Sequence, residues 1–343
     1  MARGIYGPWA NIDLDAQGRQ VGMLNVPVAS TRSAMQNIRV PLITVRGGDG
    51  PTILVTGGVH GDEYEGQVAL CRLIRTLGPD DLTGGVVMMP AANLPAALAA
   101  TRVSPWDDGN LNNSFPGRAD GGPTEQIAHF IETELLPNVG AWIDIHSGGT
   151  SMDYTPLAAI HSSEDPDLDE RAVAALKAFG APLSMVFRFQ NEHAASSAAQ
   201  RHGKVYIYGE FGGSGTVNPD GVDIAFRGII RCLDHFGVLR SAKRFDLPPL
   251  GETPILETVT GTDYVDTRRN YVFSPCAGVF EPVRSLNETV REGQVLGYIH
   301  DIERPLEAPR EACFDMDGVL IMKRHPARVE AGDFIAQLAI ERP

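Results

Sequence analysis

Three stretches of the sequence each end an apolar run at a reactive side chain beside glycines. They are Ile53-Leu-Val-Thr-Gly-Gly-Val-His60-Gly-Asp-Glu63, Ala141-Trp-Ile-Asp-Ile-His146-Ser-Gly-Gly and Val205-Tyr-Ile-Tyr-Gly-Glu210-Phe-Gly-Gly. His60 and Glu63 are three apart, so one helical turn or tight loop puts them on the same side. With the distant His146 they make a two-His, one-carboxylate set, the kind that holds catalytic zinc with one position left open. Zinc in such a set acidifies water and polarises a carbonyl. A further carboxylate is needed to take the proton from water and pass it to a leaving amine, and Glu210 is the candidate. Asp144, two residues before His146 on one strand, points to the same face and can support that ring from behind.

Context separates this set from chance. A second His-x-x-Glu, His129 and Glu132, lies in an amphipathic helical pattern with no glycines and no preceding strand, and reads as an ordinary polar helix face. His161, His193, His202, His235, His300 and His325 lack such context and are expected to be solvated or locally satisfied.

The elements that must position these residues alternate. Strands are predicted at Thr52–Thr56, Gly85–Met89, Ala141–Ile145 and Lys204–Tyr208, and helices at about Glu65–Leu77, Thr124–Leu136, Asp169–Phe179 and Val222–Phe236. That order indicates an α/β layer architecture with a mostly parallel or mixed sheet flanked by helices. In open α/β sheets the functional crevice lies at the carboxyl ends of the strands, where His60, Glu63, His146 and Glu210 all fall.

Residues 241–268 read as a linker, and a small all-β domain is expected beyond it, dividing the chain into 1–245 (core about 40–240) and 246–343. The second part holds a weak repeat, Gly278-Val-Phe-Glu-Pro leading to Val290-Arg-Glu-Gly and Gly318-Val-Leu-Ile-Met leading to Val329-Glu-Ala-Gly. It resembles the two halves of a biotinyl/lipoyl-type barrel-sandwich. The join at His300–Pro309 carries no Lys, and Lys323 sits inside the second half, so a lid or assembly module is expected rather than a swinging-arm carrier.

The balance of 29 Lys+Arg against 43 Asp+Glu gives a net charge of −14, which argues against a nucleic-acid partner. The N-terminus shows no apolar signal region, and the apolar stretch at about Val87–Ala100 is broken by Pro90, Asn93 and Pro95, so no membrane partner is expected. The four cysteines, Cys71, Cys232, Cys276 and Cys313, show no CxxC spacing and suit a reducing, cytoplasmic location. Cys71 and Cys232 lie in helical patterns and are expected to be buried and inert. The expected partners are a small-molecule substrate and further copies of the chain.

Together with Asn110-Leu-Asn-Asn-Ser-Phe-Pro-Gly117, the three reactive stretches resemble the succinylglutamate desuccinylase/aspartoacylase family of zinc carboxypeptidase-like enzymes. The likeness runs in order over roughly residues 40–240, and the β-rich C-terminal part is similar to the bacterial branch. It implies a zinc amidohydrolase, with one Zn2+ per chain, that removes the acyl group from an N-acyl amino acid. By this resemblance His60, Glu63 and His146 are the zinc ligands and Glu210 the catalytic acid/base. Arg102 helps polarise the scissile carbonyl, and Asn112 binds substrate. The Thr-Arg-x-Ser-Pro and Asn-x-Ser-Phe-Pro-Gly-Arg stretches look most like the bacterial Nα-acetyl-L-2,4-diaminobutyrate deacetylases.

The sequence departs from the family pattern Asn-Arg-x-Phe, placing Asn113 where an Arg is expected to clamp a substrate carboxylate. Asn can hydrogen-bond a carboxylate but has no charge and no bidentate fork. Three consequences stand open: Arg118 or Arg188 takes over the role, the substrate lacks that carboxylate, or the enzyme is weak. The alternatives to an N-acyl amino acid deacylase are a zinc carboxypeptidase or other amide hydrolase, and a non-catalytic zinc-binding homologue.

Overall fold

The computed structural model describes residues 7–188, 191–251, 253–258 and 268–341. At its centre four parallel strands lie side by side in the order Gly85–Met89, Thr52–Gly57, Ala141–His146, Val205–Glu210. The sheet is mixed beyond them. Ser33–Arg46 runs antiparallel to Gly85–Met89 on one side, and Leu157–His161 runs antiparallel to Val205–Glu210 on the other.

Alternation along the central strands assigns the two faces. Ile53, Val55, Val86, Met88, Ile143 and Ile145 pack against helices Tyr64–Thr76, Pro166–Phe179 and Pro219–His235. Leu54, Val87, Met89, Trp142 and Tyr206 pack the other way, against Pro123–Phe130 and Ala195–Arg201. Period two therefore puts Asp144 and His146 on the Trp142 face, and Tyr208 and Glu210 on the Tyr206 face, which is the same side of the sheet.

The helices begin where local chemistry stops the chain from extending. Asp165 and Asn218 accept backbone N–H groups of the first turns at Pro166 and Pro219. Tyr64–Thr76 lies so close to the sheet that a Cβ on Gly66 would stand 2.4 Å from the Ile145 carbonyl oxygen. Glycine there is a packing requirement and not a turn signal.

The predicted Thr124–Leu136 helix ends its α-helical part at Phe130 and continues as a widened turn, Ile131–Leu135, before Pro137 closes it. Glu132 in that turn is buried and binds Arg201 through both carboxylate oxygens at 3.0 Å, so it is not a solvated face. A long N-terminal hairpin, Gly18–Ser30 with Ser33–Arg46, extends the sheet ahead of the first predicted strand.

The C-terminal residues form two antiparallel sheets around Phe280, Leu296, Ile299, Phe314, Leu320 and Leu338. The first half of the repeat, Gly278–Pro282 with Val295–His300, lies in one sheet; the second, Gly318–Arg324 with Phe334–Glu341, lies in the other. Phe334–Glu341 also pairs with Ile255–Glu257, and Gly318–Arg324 with Met152–Tyr154, so this unit is hydrogen-bonded to the main sheet. Lys323 donates to the Arg284 carbonyl. Of the segment read as a linker, residues 252 and 259–267 lie outside the described residues. All four cysteines are free thiols; Cys232 is buried, with its pKa pushed up by burial, whereas Cys71 is half-buried. Among the described residues no helix is long and apolar enough to cross a membrane.

Candidate metal centre and its cavity

The turn after Thr52–Gly57 carries His60 and Glu63 to the edge of the Ala141–His146 strand. Gly58 there has φ +64°, and Gly61 lies against the helix Leu94–Ala99, where a Cβ would meet the Ala96 carbonyl carbon at 1.9 Å. Glu63 then stands at the N-cap of Tyr64–Thr76.

His60, Glu63 and His146 are each at least 96% buried. Glu63 Oε1 lies 2.7 Å from His60 Nδ1, and its Oε2 lies 2.8 Å from His146 Nδ1. One ligand atom from each of the three falls within 4.8 Å of the others. The opposite ring nitrogens are held from behind: His60 Nε2 lies 3.1 Å from Asn110 Oδ1, and His146 Nε2 lies 2.9 Å from Asp144 Oδ2. Asn110 Oδ1 and Asp144 Oδ2 accept a proton at Nε2, while the Glu63 oxygens face Nδ1. With a cation between the rings and Glu63, each ring would keep its proton at Nε2 and offer the Nδ1 lone pair as ligand. Two imidazole nitrogens and a carboxylate, all buried and pre-aimed, fit a divalent ion of the zinc type.

Asp144 is itself fixed. It accepts from Tyr206 Oη at 2.9 Å and from Thr56 Oγ1 at 2.6 Å, and Trp142 Nε1 donates to that Thr oxygen at 2.7 Å. Burial alone would raise the Glu63 pKa, yet the adjacent His60 and His146 hold it far below the usual carboxylate range. Burial likewise opposes charge on His146, but Asp144 and Glu63 raise its pKa well above the ordinary value. A cation would take the place of that proton.

Glu210 closes the next strand at the same level, paired in register with His146. Its Oε2 is buried without a hydrogen-bond partner among the described residues. Burial, then the negative charge of Glu63, push its pKa up to about 8, against the opposing pull of His146 and Arg102. A carboxylate whose pKa is raised in this way can take up and give back a proton near ordinary pH.

These groups open on a cavity of about 270 Å³ lined by His60, His146, Glu210, Arg102, Asn112 and Asn113, with Asn191, His161 and Tyr208 among the other wall residues. Arg102 Nη1 lies 3.2 Å from Glu63 Oε1, half-exposed at the rim. Two of the expected arginines are elsewhere. Arg118 is turned to solvent and paired with Asp120, and Arg188 is paired with Glu257 beside a different cavity. Neither replaces the charge missing at Asn113.

Asn110 and Tyr206, which hold the site from behind, are not singled out by residue type or spacing. His161 is also a wall residue: its ring stacks on Tyr208 at 5.2 Å and on Phe187 at 5.5 Å. The signal for it is its place at the end of an apolar run, Leu157–His161, but no glycine follows to mark it. His193, His202 and His300 are locally satisfied, by the Phe115 carbonyl, Glu132 and Glu281.

A mixed α/β sheet, a buried His-Glu-His group at the carboxyl ends of its parallel strands that could hold a metal ion, a carboxylate on the neighbouring rung with one oxygen unpartnered among the described residues, and one shared cavity are the parts of an amide-cleaving hydrolase. Residues 49–236 match the model of the succinylglutamate desuccinylase/aspartoacylase catalytic domain. The chain belongs to the succinylglutamate desuccinylase/aspartoacylase family. It is 39% identical over 333 residues to the N-alpha-acetyl-L-2,4-diaminobutyric acid deacetylase of Halomonas elongata, covering 96% of this chain and 94% of that protein. It is similar to the crystal structure of a succinylglutamate desuccinylase/aspartoacylase from Rhodobacter sphaeroides (TM-score 0.89, 36% identity, 98% of this chain and 99% of that one). It is also similar to the product-bound ectoine utilization protein EutE (DoeB) from Ruegeria pomeroyi (TM-score 0.90, 35% identity, 98% and 100%).

Proposed function

We propose that this chain is a zinc-dependent deacylase that hydrolyses the amide bond of an N-acylated amino acid, with Nα-acetyl-L-2,4-diaminobutyrate as the first substrate to try. The observation that carries this reading is the buried His60–Glu63–His146 group with Glu210, whose Oε2 has no hydrogen-bond partner among the described residues, on the adjacent rung, both at one cavity. The likeness to the Halomonas elongata deacetylase supports the substrate class.

In this reading His60, Glu63 and His146 hold one zinc per chain, which supplies Lewis acidity for the carbonyl and lowers the pKa of water. Glu210 accepts a proton from the attacking water and returns it to the leaving amine. Its raised proton affinity suits both halves of that transfer. Arg102 faces the developing negative charge on the carbonyl oxygen. Asn112 and Asn113 hold the amino-acid part of the substrate. Residues 1–245 are read as the catalytic unit and residues 246–343 as an accessory unit.

The test is a panel of acetyl-diaminobutyrate, acetyl-aspartate, succinyl-glutamate and short peptides, scored for free amine. Release from the N-acyl amino acids supports the deacylase. Cleavage of peptides alone would make it a carboxypeptidase, and zinc binding with no turnover would make it a binding protein.

A further inference from the structure

Within the cavity wall, Arg102 is the one permanently charged cation among the described lining residues, and it is already paired with Glu63. The cavity is also lined by Asn112, Asn113 and Asn191. An Asn side chain can present either its amide hydrogens or its oxygen, so its recognition chemistry depends on which way it is held. Here the choice is forced through a chain of hydrogen bonds that begins at the backbone.

The His193 backbone N–H, which can only donate, meets Asn191 Oδ1 at 3.1 Å. Asn191 must therefore turn Nδ2 the other way, and that group donates to Asn113 Oδ1 at 3.2 Å. Asn113 has its oxygen engaged, which leaves Nδ2 with its two hydrogens for the cavity. The two segments are clipped together, so the relay rests on fixed backbone. Phe115 N–H donates to the His193 carbonyl at 3.1 Å, His193 Nδ1 lies 3.0 Å from the Phe115 carbonyl, and Ser197 Oγ donates to the Asn191 carbonyl at 2.7 Å.

We infer that Asn113 is a specificity-determining residue held as a neutral N–H donor by Asn191, so that the substrate offers it an oxygen acceptor whose charge the site does not demand. Resting on the deacylase reading above, this widens the substrate class from N-acyl amino acids to their carboxamides. A carboxylate and a primary amide both present the required oxygen. An Arg at this place would favour the carboxylate by its charge and fork; an amide N–H has neither.

The experiment measures acetate release by the zinc-loaded full chain from Nα-acetyl-L-2,4-diaminobutyrate and from its α-carboxamide. The expected kcat/KM values lie within about tenfold of each other, since charge on the acceptor strengthens a hydrogen bond from a neutral N–H donor by no more than about that factor. Asn113→Arg is expected to shift the ratio toward the acid by at least that factor. Asn191→Asp tests the relay: its carboxylate still accepts from His193 N–H but cannot donate to Asn113, so Asn113 turns its oxygen to the cavity. KM for both substrates is then expected to rise about tenfold or more, with kcat affected far less, a split that general loss of structure would not produce. Wild-type preference for the acid beyond a hundredfold, or an unchanged KM in Asn191→Asp, would overturn the inference while leaving the deacylase standing. No free amine from either substrate or from the other N-acyl amino acids of the panel would overturn both; if another panel member is the one turned over, the acid and carboxamide of that substrate are compared instead.

Discussion

His146 and Glu210 are partners on the last rung of the parallel strand pair Ala141–His146 and Val205–Glu210. One sheet thus fixes the separation between the ring that faces Glu63 and the carboxylate whose Oε2 has no partner among the described residues. The two side chains leave the same face because Trp142, Asp144 and His146 alternate in step with Tyr206, Tyr208 and Glu210. Neither depends on a mobile loop for its place, which is what a site with precise proton transfer requires.

Glu210→Gln keeps the shape and removes the base. It is expected to lower kcat by about 10²–10⁴-fold, the usual contribution of a positioned acid/base. Zinc content should stay at the wild-type level, because Glu210 is not in the His-Glu-His group. Steady-state kinetics alongside elemental analysis of the same samples checks both halves.

The raised proton affinity of Glu210 has a stability consequence in protein stripped of metal. The ordinary value of the group is 4.5 and the folded value about 8. Because the folded state holds the proton more tightly, its contribution is fully present below about pH 4.5 and is lost as pH rises through 8. Glu63 and His146 titrate too, so the difference between wild type and Glu210→Gln isolates this group. The wild-type Tm should fall relative to the variant between pH 5 and 9, measured by thermal melts across that range in chelator. A constant difference would contradict the assignment.

Asp144→Asn replaces an acceptor that serves His146, Tyr206 and Thr56. The ring of His146 loses the carboxylate that fixes its proton at Nε2. A drop in zinc affinity of about 10–100-fold is expected, the usual effect of removing such a partner. Competition against a chelator of known affinity reads it directly.

Gly66→Ala sets two effects against each other. In an exposed helix the change would stabilise by about 1 kcal/mol. Here the added Cβ would stand 2.4 Å from the Ile145 carbonyl oxygen, one residue before His146. Overpacking against backbone is expected to outweigh propensity, with net destabilisation of about 1–3 kcal/mol. Urea unfolding of the two proteins decides the sign.

The parts of the site readable in the sequence are those where an apolar run ends at a reactive residue beside glycines. His60, His146 and Glu210 fall at strand ends because β-branched and apolar runs before them form buried strands. Helices with clear apolar stripes, such as Tyr64–Thr76 and Pro219–His235, were legible within three residues at each end. What escaped depends on tertiary contact. Glu132 is polar by type, and Arg201 from another helix, with His202 beside it, makes its burial tolerable. Asn110, Asn191 and Tyr206 act through partners 50 or more residues away in the chain, or through a neighbouring backbone N–H, and a single sequence carries no record of such pairing. Arg118 and Arg188 are plausible by charge alone; their ion pairs with Asp120 and Glu257 take them out of the cavity.

The most direct test of the central claim is a zinc titration of metal-stripped protein, reading acetate release from Nα-acetyl-L-2,4-diaminobutyrate. Activity should be absent in chelator, rise linearly with added zinc, and level off at one equivalent per chain, with Glu63→Gln failing to recover. Full activity in the stripped protein, or zinc bound at one equivalent with no free amine released from this or any N-acyl amino acid, would contradict it.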